Sequence, residues 1–350
     1  MKKNINNKKK VFEGEEAIKD FLNPSSLGVI PVIELPSSLN PFKKDKVRIF
    51  IKLMQFVPLY NIKSLPAWSM LSGIKTENLK NIKHLVEYSS GNTVLSLTVL
   101  TRHFGVPHMH AIITPDVPEH KKRLLKLVGT EIFISHGPSC PDVNASIGGV
   151  YEAKTMGKRK GWHNMNQYIN PEIPKASAEY IGKELWEQLD GKMTIFASTI
   201  GTAGTIYGAS SYLKNKNKDI FIAGATTKKG SSIPGPRGEE HIHKLVFPWD
   251  KIVDQVFPID TGSAYKSSLD LIRLGLFVGP STGMLLSMIL KMIKEMKKNK
   301  NLDKYRNKEG EVVIAFISGD TMYPYIDEYF EYLPKKYFKD EIHLKNKKNG

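Results

Sequence analysis

The feature that most constrains this chain is a repeated alternation of short β-rich runs with helical stretches, sustained from about residue 30 to residue 330. Strand candidates lie at 29–35, 47–53, 84–88, 108–114, 131–135, 194–198, 220–223 and 312–317. Most are separated by segments with helical character. One runs over 92–104 and closes at Gly105, where glycine accepts the left-handed cap. Another opens at Pro115 and Pro118. Strand, helix, strand in repetition predicts an α/β fold with mostly parallel sheets flanked by helices, because parallel neighbours need a crossover element. No internal repeat is present. Residues 136–165, rich in Gly, Pro, Asn and His, read as loop and lobe crossing, and residues 227–240 as a mobile loop.

Length and composition suit an enzyme-sized core: 350 residues, 41% hydrophobic and 25% charged. The formal charge of +16 resembles a nucleic-acid signal until it is located. Residues 1–10 carry five lysines and no acid, and 335–350 carry six lysines against Asp340 and Glu341. Nine of the sixteen charges therefore sit in two short tails, which read as solvated ends with at most weak polyanion binding. No nucleic-acid partner is expected. Cys140 is the only cysteine, so no internal disulfide can form, and the thiol suits a reducing compartment. The basic start lacks the apolar run of a signal peptide, and no stretch is long enough to span a bilayer, so a cytoplasmic protein is expected.

Four turns carry the chemistry, each at the C-terminal end of a strand candidate, where open α/β sheets place ligands. The first holds Lys63, between the apolar run 47–54 and the helical run 65–71. The second is Ser89-Ser90-Gly91-Asn92-Thr93, whose hydroxyls and free backbone N–H groups suit a carboxylate. A bare helix cap would look similar. The third is Thr199-Ile-Gly201-Thr202-Ala203-Gly204-Thr205, a glycine-containing turn before a helix that suits a phosphate. The fourth, Phe316-Ile-Ser318-Gly319-Asp320, can present a hydroxyl to the edge of a ring. A lysine at a strand-to-helix joint, followed by anion-binding turns, is a way to hold an aldehyde cofactor.

In this order, from about residue 29 to 323, the turns resemble the fold-type II pyridoxal-phosphate enzymes, the superfamily of cysteine synthase and cystathionine β-synthase. Asn166-Gln167-Tyr168-Ile-Asn170-Pro171 is similar to the family's Gln-Phe-x-Asn-Pro segment, and Gly279-Pro280-Ser281-Thr282-Gly283 to its late Gly-x-Ser-Ser-Gly turn. The resemblance implies that Lys63 holds pyridoxal 5'-phosphate as a Schiff base and then removes the substrate's α-proton. It implies that Asn92 bonds the cofactor's 3′-oxygen, and that Ser90, Gly91, Thr93 and Gln167 grip the substrate α-carboxylate. Gly201, Thr202, Ala203, Gly204 and Thr205 would cradle the phosphate, and Ser318 would meet the pyridine nitrogen. A neutral hydroxyl there leaves a weaker electron sink than a carboxylate, so loss of a β-substituent to give an aminoacrylate is the expected chemistry.

The implied activity is β-replacement on serine or an activated serine, O-acetylserine or O-phosphoserine, forming cysteine or a related amino acid. β-Elimination or dehydration is the alternative, and a non-catalytic protein retaining the fold a third reading. The implied architecture is two-lobed: a large cofactor-binding lobe from 20–55 plus 161–334, a small mobile substrate lobe from 56–160, and basic tails at 1–19 and 335–350. A homodimer acting on a small amino acid is implied as well.

Lys44, in Asn40-Pro-Phe-Lys-Lys44-Asp45, superficially resembles the family's lysine run, yet it precedes its strand, and no helix follows. Around Lys63 the usual Asp-Arg is Ser64-Leu65, and the usual Asn-Pro-Thr-Gly-Ser is Val57-Pro-Leu-Tyr-Asn61. Ala203 stands where the phosphate turn normally has glycine, a methyl that is tolerable if its backbone dihedrals stay negative. His108 with His110, and His241 with His243, lack a metal-ligand set and read as structural or surface histidines; no metal is expected.

Overall fold

The computed structural model describes residues 10–137 and 142–341. Ten strands form two sheets: β1 Val32–Glu34, β2 Val47–Lys52, β3 His84–Tyr88, β4 His108–Ile113, β5 Glu131–Ile134, β6 Trp162–Asn164, β7 Ile195–Thr199, β8 Phe221–Thr227, β9 Gln255–Ile259 and β10 Val312–Ile317. The larger sheet runs β1-β2-β10-β7-β8-β9 and the smaller β5-β4-β3-β6. Every pairing is parallel except β1 with β2. The α/β fold with mostly parallel sheets and flanking helices is therefore what the chain forms.

The central strands explain the larger sheet. β10 is Val-Val-Ile-Ala-Phe-Ile, buried at every position, and β2 is buried at all but Arg48. Such continuous apolar runs require cover on both faces, which the crossover helices supply. The longest helix, Pro280–Lys298, buries its methionine- and leucine-rich stripe against the sheet. Tight backbone approach fixes another pair. Gly208 of the helix Gly204–Lys216 lies so close to the Pro174 backbone that a Cβ would overlap it.

Two strands escaped the sequence pattern, β6 and β9. Both are edge strands; β6 has three half-buried polar or aromatic residues and β9 contains Pro258. The helix Gly149–Met156 and β6 also occupy the stretch read as lobe crossing. The smaller sheet thus extends to Asn164, past residue 160. Residues 227–240 are anchored rather than loose: Thr227 pairs with Gly238, and the Arg237 N–H donates to the Ile200 carbonyl at 2.7 Å.

Parts of both stretches read as tails, residues 10–19 and 335–341, are among the described residues. The helix Ala17–Leu22 starts inside the N-terminal stretch, with Phe12 edge-on to Phe21. At the other end Phe338 stacks on Phe330, and the Tyr337 carbonyl accepts a hydrogen bond from Arg273. Cys140 lies outside the described residues. Among the described residues no helix is long and apolar enough to cross a membrane.

Candidate active site

Four helix N-termini converge on one cavity at the C-terminal ends of the large-sheet strands. Lys63 immediately precedes the helix Ser64–Ser72; Asn92 begins the helix Asn92–His103; Ala203 precedes Gly204–Lys216; and Ser281 lies in the first turn of Pro280–Lys298. Lys63, Asn92, Ala203 and Ser281 all line the cavity. None of the four helices has a side-chain cap or an acid in its first turn. Their free N–H groups and dipoles make the space attractive to anions.

Lys63 sits on a constrained segment. Its backbone N–H donates to Asn61 Oδ1 at 3.0 Å, and the same oxygen accepts from Ser96 Oγ at 3.1 Å. Ahead of it Leu59 and Tyr60 both take left-handed backbone angles, φ 61° and 55°, where the family has Thr-Gly. Two such non-glycine residues in a row store strain that the surrounding hydrogen bonds must hold. The Lys63 amine makes no hydrogen bond among the described residues. Burial lowers its pKa, with Asp320 partly offsetting the shift. Lys44 is exposed on the far side, at the N-terminal end of β2.

The turn 199–205 closes behind the cavity. Thr199, Gly201, Thr202, Ala203 and Thr205 line it, while Gly204 is packed behind them against Ile173 and Phe247. A Cβ on Gly201 would stand 2.9 Å from the Gly235 carbonyl, so only glycine allows the turn to press against the 234–236 segment, which also lines the cavity. Ala203 has φ 68°, so the condition of negative dihedrals is not met; a methyl occupies a left-handed position.

On the opposite wall stand Ser89, Ser90, Gly91, Thr93 and Gln167, with Lys121, Tyr168 and Arg237. Thr93 Oγ1 donates to Gln167 Oε1 at 2.8 Å, and Gln167 Nε2 donates to the Tyr88 carbonyl at 3.0 Å. Beneath them Glu87, buried on β3, accepts the Tyr88 and Gln167 backbone N–H groups, each at 3.0 Å. Burial pushes its carboxyl up to about 8. The Arg237 guanidinium donates to Tyr168 OH at 3.1 Å, and its Nε has no partner.

One expected residue is elsewhere. Ser318, fully buried, turns away from the cavity and donates to Gln55 Oε1 and the Lys52 carbonyl. The hydroxyl that does line the cavity beside this turn is that of Ser281, with Gly319 and Asp320. Asp320 Oδ2 accepts from Asn92 Nδ2 at 2.7 Å and from Tyr325 OH at 2.5 Å. Its presence in the quoted turn was the only sequence signal for it; Tyr325, Lys121 and Arg237 had none.

The histidines form a different feature. His108, His84, His110 and Trp162 stack across the smaller sheet, with His84 Nδ1 3.0 Å from His110 Nε2. Among the described residues no group of histidines, cysteines and carboxylates could hold a metal ion.

A half-buried, unbonded lysine amine facing uncapped helix N-termini and a hydroxyl-bearing turn suits a phosphorylated carbonyl compound. The family model for pyridoxal-phosphate dependent enzymes matches residues 25–303. The chain belongs to that family. It is 26% identical over 304 residues to a cysteine synthase of Aquifex aeolicus (strain VF5), covering 85% of this chain and 88% of that one. It is 28% identical over 262 residues to cysteine synthase B of Salmonella typhimurium, covering 74% and 83%. The crystal structure of O-acetyl serine sulfhydrylase isoform 3 from Entamoeba histolytica shares the fold, with a TM-score of 0.71 at 23% identity over 90% of this chain and 92% of that one. O-Ureido-L-serine synthase does so with a TM-score of 0.73 at 18% identity, over 90% and 96%.

Proposed function

We propose that the protein catalyses pyridoxal-phosphate-dependent β-replacement on an activated serine, forming cysteine or a related amino acid. The observation that carries this reading is the Lys63 amine: half-buried in the cavity wall, without a hydrogen-bond partner among the described residues, and set among the uncapped helix N-termini. The cysteine synthases to which the chain is similar support the substrate class.

Bound pyridoxal phosphate supplies an electron sink that acidifies the substrate α-carbon and lets a β-substituent leave. Lys63 would hold the cofactor and, once freed from it, take the α-proton, with burial favouring the neutral form of its amine. The 201–205 turn and the Gly204–Lys216 helix bind the phosphate through backbone N–H groups, Thr202 and Thr205. Asn92 and Ser281 address the ring. Ser90, Gly91, Thr93 and Gln167 orient the substrate α-carboxylate, Gln167 being held by Thr93 and Glu87. Arg237, on the substrate side, favours a β-substituent that leaves as an anion, as acetate and phosphate both do, while Lys121 beside it is shared with Glu328 at 2.9 Å. Closure of the 56–160 lobe over the larger one would keep water from the reacting centre. A homodimer in the cytoplasm completes this reading.

The test is the visible spectrum of the protein with pyridoxal phosphate, for wild type and Lys63→Ala. The absorption band of lysine-linked cofactor is expected in wild type and absent in the variant, and activity should fall by about a thousandfold or more. A band in both would move the linkage to another lysine. Failure of both to take up cofactor would sink the enzyme reading. With O-acetylserine or O-phosphoserine, consumption of added sulfide marks replacement; release of a keto acid without it marks elimination.

A further inference from the structure

Asp320 is the only carboxylate lining the cavity among the described residues. Its position carries an electrostatic cost. Reacting groups in this site include a phosphate and a substrate carboxylate, and a third anion within reach would weaken the binding of both unless it answers a positive charge. It is also buried, and an ionised carboxylate out of water needs compensation.

The compensation present is incomplete. Asn92 and Tyr325 both donate to Oδ2, while Oδ1 is buried with no partner. The backbone around Asp320 is paired with the segment leading to Lys63. The Ile62 N–H donates to the Gly319 carbonyl at 2.8 Å, and Asn61 bridges Asp320. Carboxylate and lysine are thus carried on joined strands of main chain. The groups that face Asp320 from the surrounding elements are Lys63, Asn92, Lys121 and Tyr325. Burial pushes its carboxyl up to about 6, against the pull of those four groups. Burial thus works against its charge, and a cation fixed beside it works for it.

We propose that Asp320 is a positioning residue that supplies the negative charge balancing the Lys63 nitrogen once that nitrogen is joined to the cofactor, and that it aims the Asn92 amide at the ring. The proposal rests on the assignment of Lys63 above. It also revises the expectation drawn from Ser318, because the group beside the cofactor at the end of β10 is then a carboxylate as well as the Ser281 hydroxyl.

The experiment uses the cofactor-loaded enzyme and reads its visible absorption across neutral to alkaline pH, for wild type and Asp320→Asn. Asparagine keeps the shape and can still accept from Tyr325 and Asn92, so only the charge is lost. The expected result is that the midpoint at which the lysine-linked cofactor loses its proton falls by about one pH unit or more in the variant. The same midpoint in both proteins, or no titration in either, overturns the proposal.

A second measurement needs no variant. Isotope-edited infrared spectra of wild type labelled in its aspartate carboxyls, at a pH just under 6, should show a protonated-carboxyl band that disappears on adding pyridoxal phosphate. Persistence of that band overturns the proposal even if Asp320→Asn fails to fold. A wild type that forms no lysine-linked species overturns the Lys63 reading and this one together; a lysine-linked species with unaltered titration overturns this one alone.

Discussion

The two walls of the cavity are built by different means. The large-sheet wall stands on β2, β10, β7 and β8, strands buried almost throughout and mostly apolar, with Lys52 of β2 buried against Glu184, and main-chain contacts fix its turn at Gly201 and its helix at Gly208. The small-sheet wall stands on strands that bury Glu87 and His110 and end in the polar set Thr93 and Gln167. Packing fixes the first wall and hydrogen bonds the second. Packing has no pH dependence, whereas buried titratable groups do. The wall that would hold a phosphate permanently is accordingly the rigid one, and the wall that would meet each new substrate is the adjustable one.

The sharpest way to break this contrast is to disturb the rigid wall at its tightest point. Gly208→Ala puts a methyl into the Pro174 backbone. Alanine is the better helix former by about 1 kcal/mol. That gain is confined to the local helix, whereas the overlap is with main chain that cannot rotate away. Net destabilisation of about 1–3 kcal/mol is expected in denaturant melts. Cofactor uptake should weaken too, since the same helix presents its N-terminus to the cavity. An unchanged melt would show that this wall yields after all.

The adjustable wall should respond to acid instead. Burial lowers the pKa of His84 and of His110, and for both the neighbouring His108 adds to the shift. Glu131 opposes it only in part: His110 Nδ1 is 3.2 Å from Glu131 Oε2 but at an angle that leaves it without a hydrogen bond. A folded-state pKa below the unfolded value contributes stability that is present above about 6.5 and lost as pH falls through the folded value. Buried Glu87 on β3, pushed up to about 8, acts in the opposite sense, its protonation favouring the fold as pH falls toward the ordinary carboxyl range. Amide hydrogen exchange at pH 7 and pH 5 should therefore change in β3, β4 and β6 while β2, β10 and β7 hold, and His84→Gln should shift that change toward greater protection at pH 5. Uniform loss across both sheets would erase the distinction between the walls.

The same contrast governs what could be read from sequence. The buried parallel strands announce themselves as apolar runs; the limits of β3 and β10 coincide with the predicted 84–88 and 312–317. The edge strands β6 and β9 do not, because an edge needs neither a long apolar run nor freedom from proline. Lys63, Asn92 and the 201–205 turn were legible as turns at strand ends, and Lys63, Asn92, Gly201, Thr202, Ala203 and Thr205 do come together at one cavity. Ser318 was legible as a turn residue but not in direction. Whether a hydroxyl at a strand end faces the cavity or the sheet depends on neighbours distant in sequence, here Gln55 and Lys52. Lys121 and Arg237 reach the cavity from elements that carry no motif of their own.

The smallest effect tests the joint between the walls, where Ala203 holds φ 68°. A left-handed alanine costs about 1–2 kcal/mol relative to a right-handed one, and glycine would remove that strain. Against the gain stand the loss of a buried methyl, about 0.8 kcal/mol, and the greater freedom of glycine in the unfolded chain, about 0.4–1 kcal/mol. The terms nearly cancel, so Ala203→Gly should melt within about 0.5 kcal/mol of wild type by that arithmetic. Ala209→Gly, at a fully buried position inside the same helix, carries the two costs without the gain and should lose about 1.5–2 kcal/mol. The difference between the two substitutions isolates the strain, since both delete the same buried methyl. Equal losses would mean that the turn holds its alanine without strain, and that the phosphate wall has no conformational energy stored at its tip.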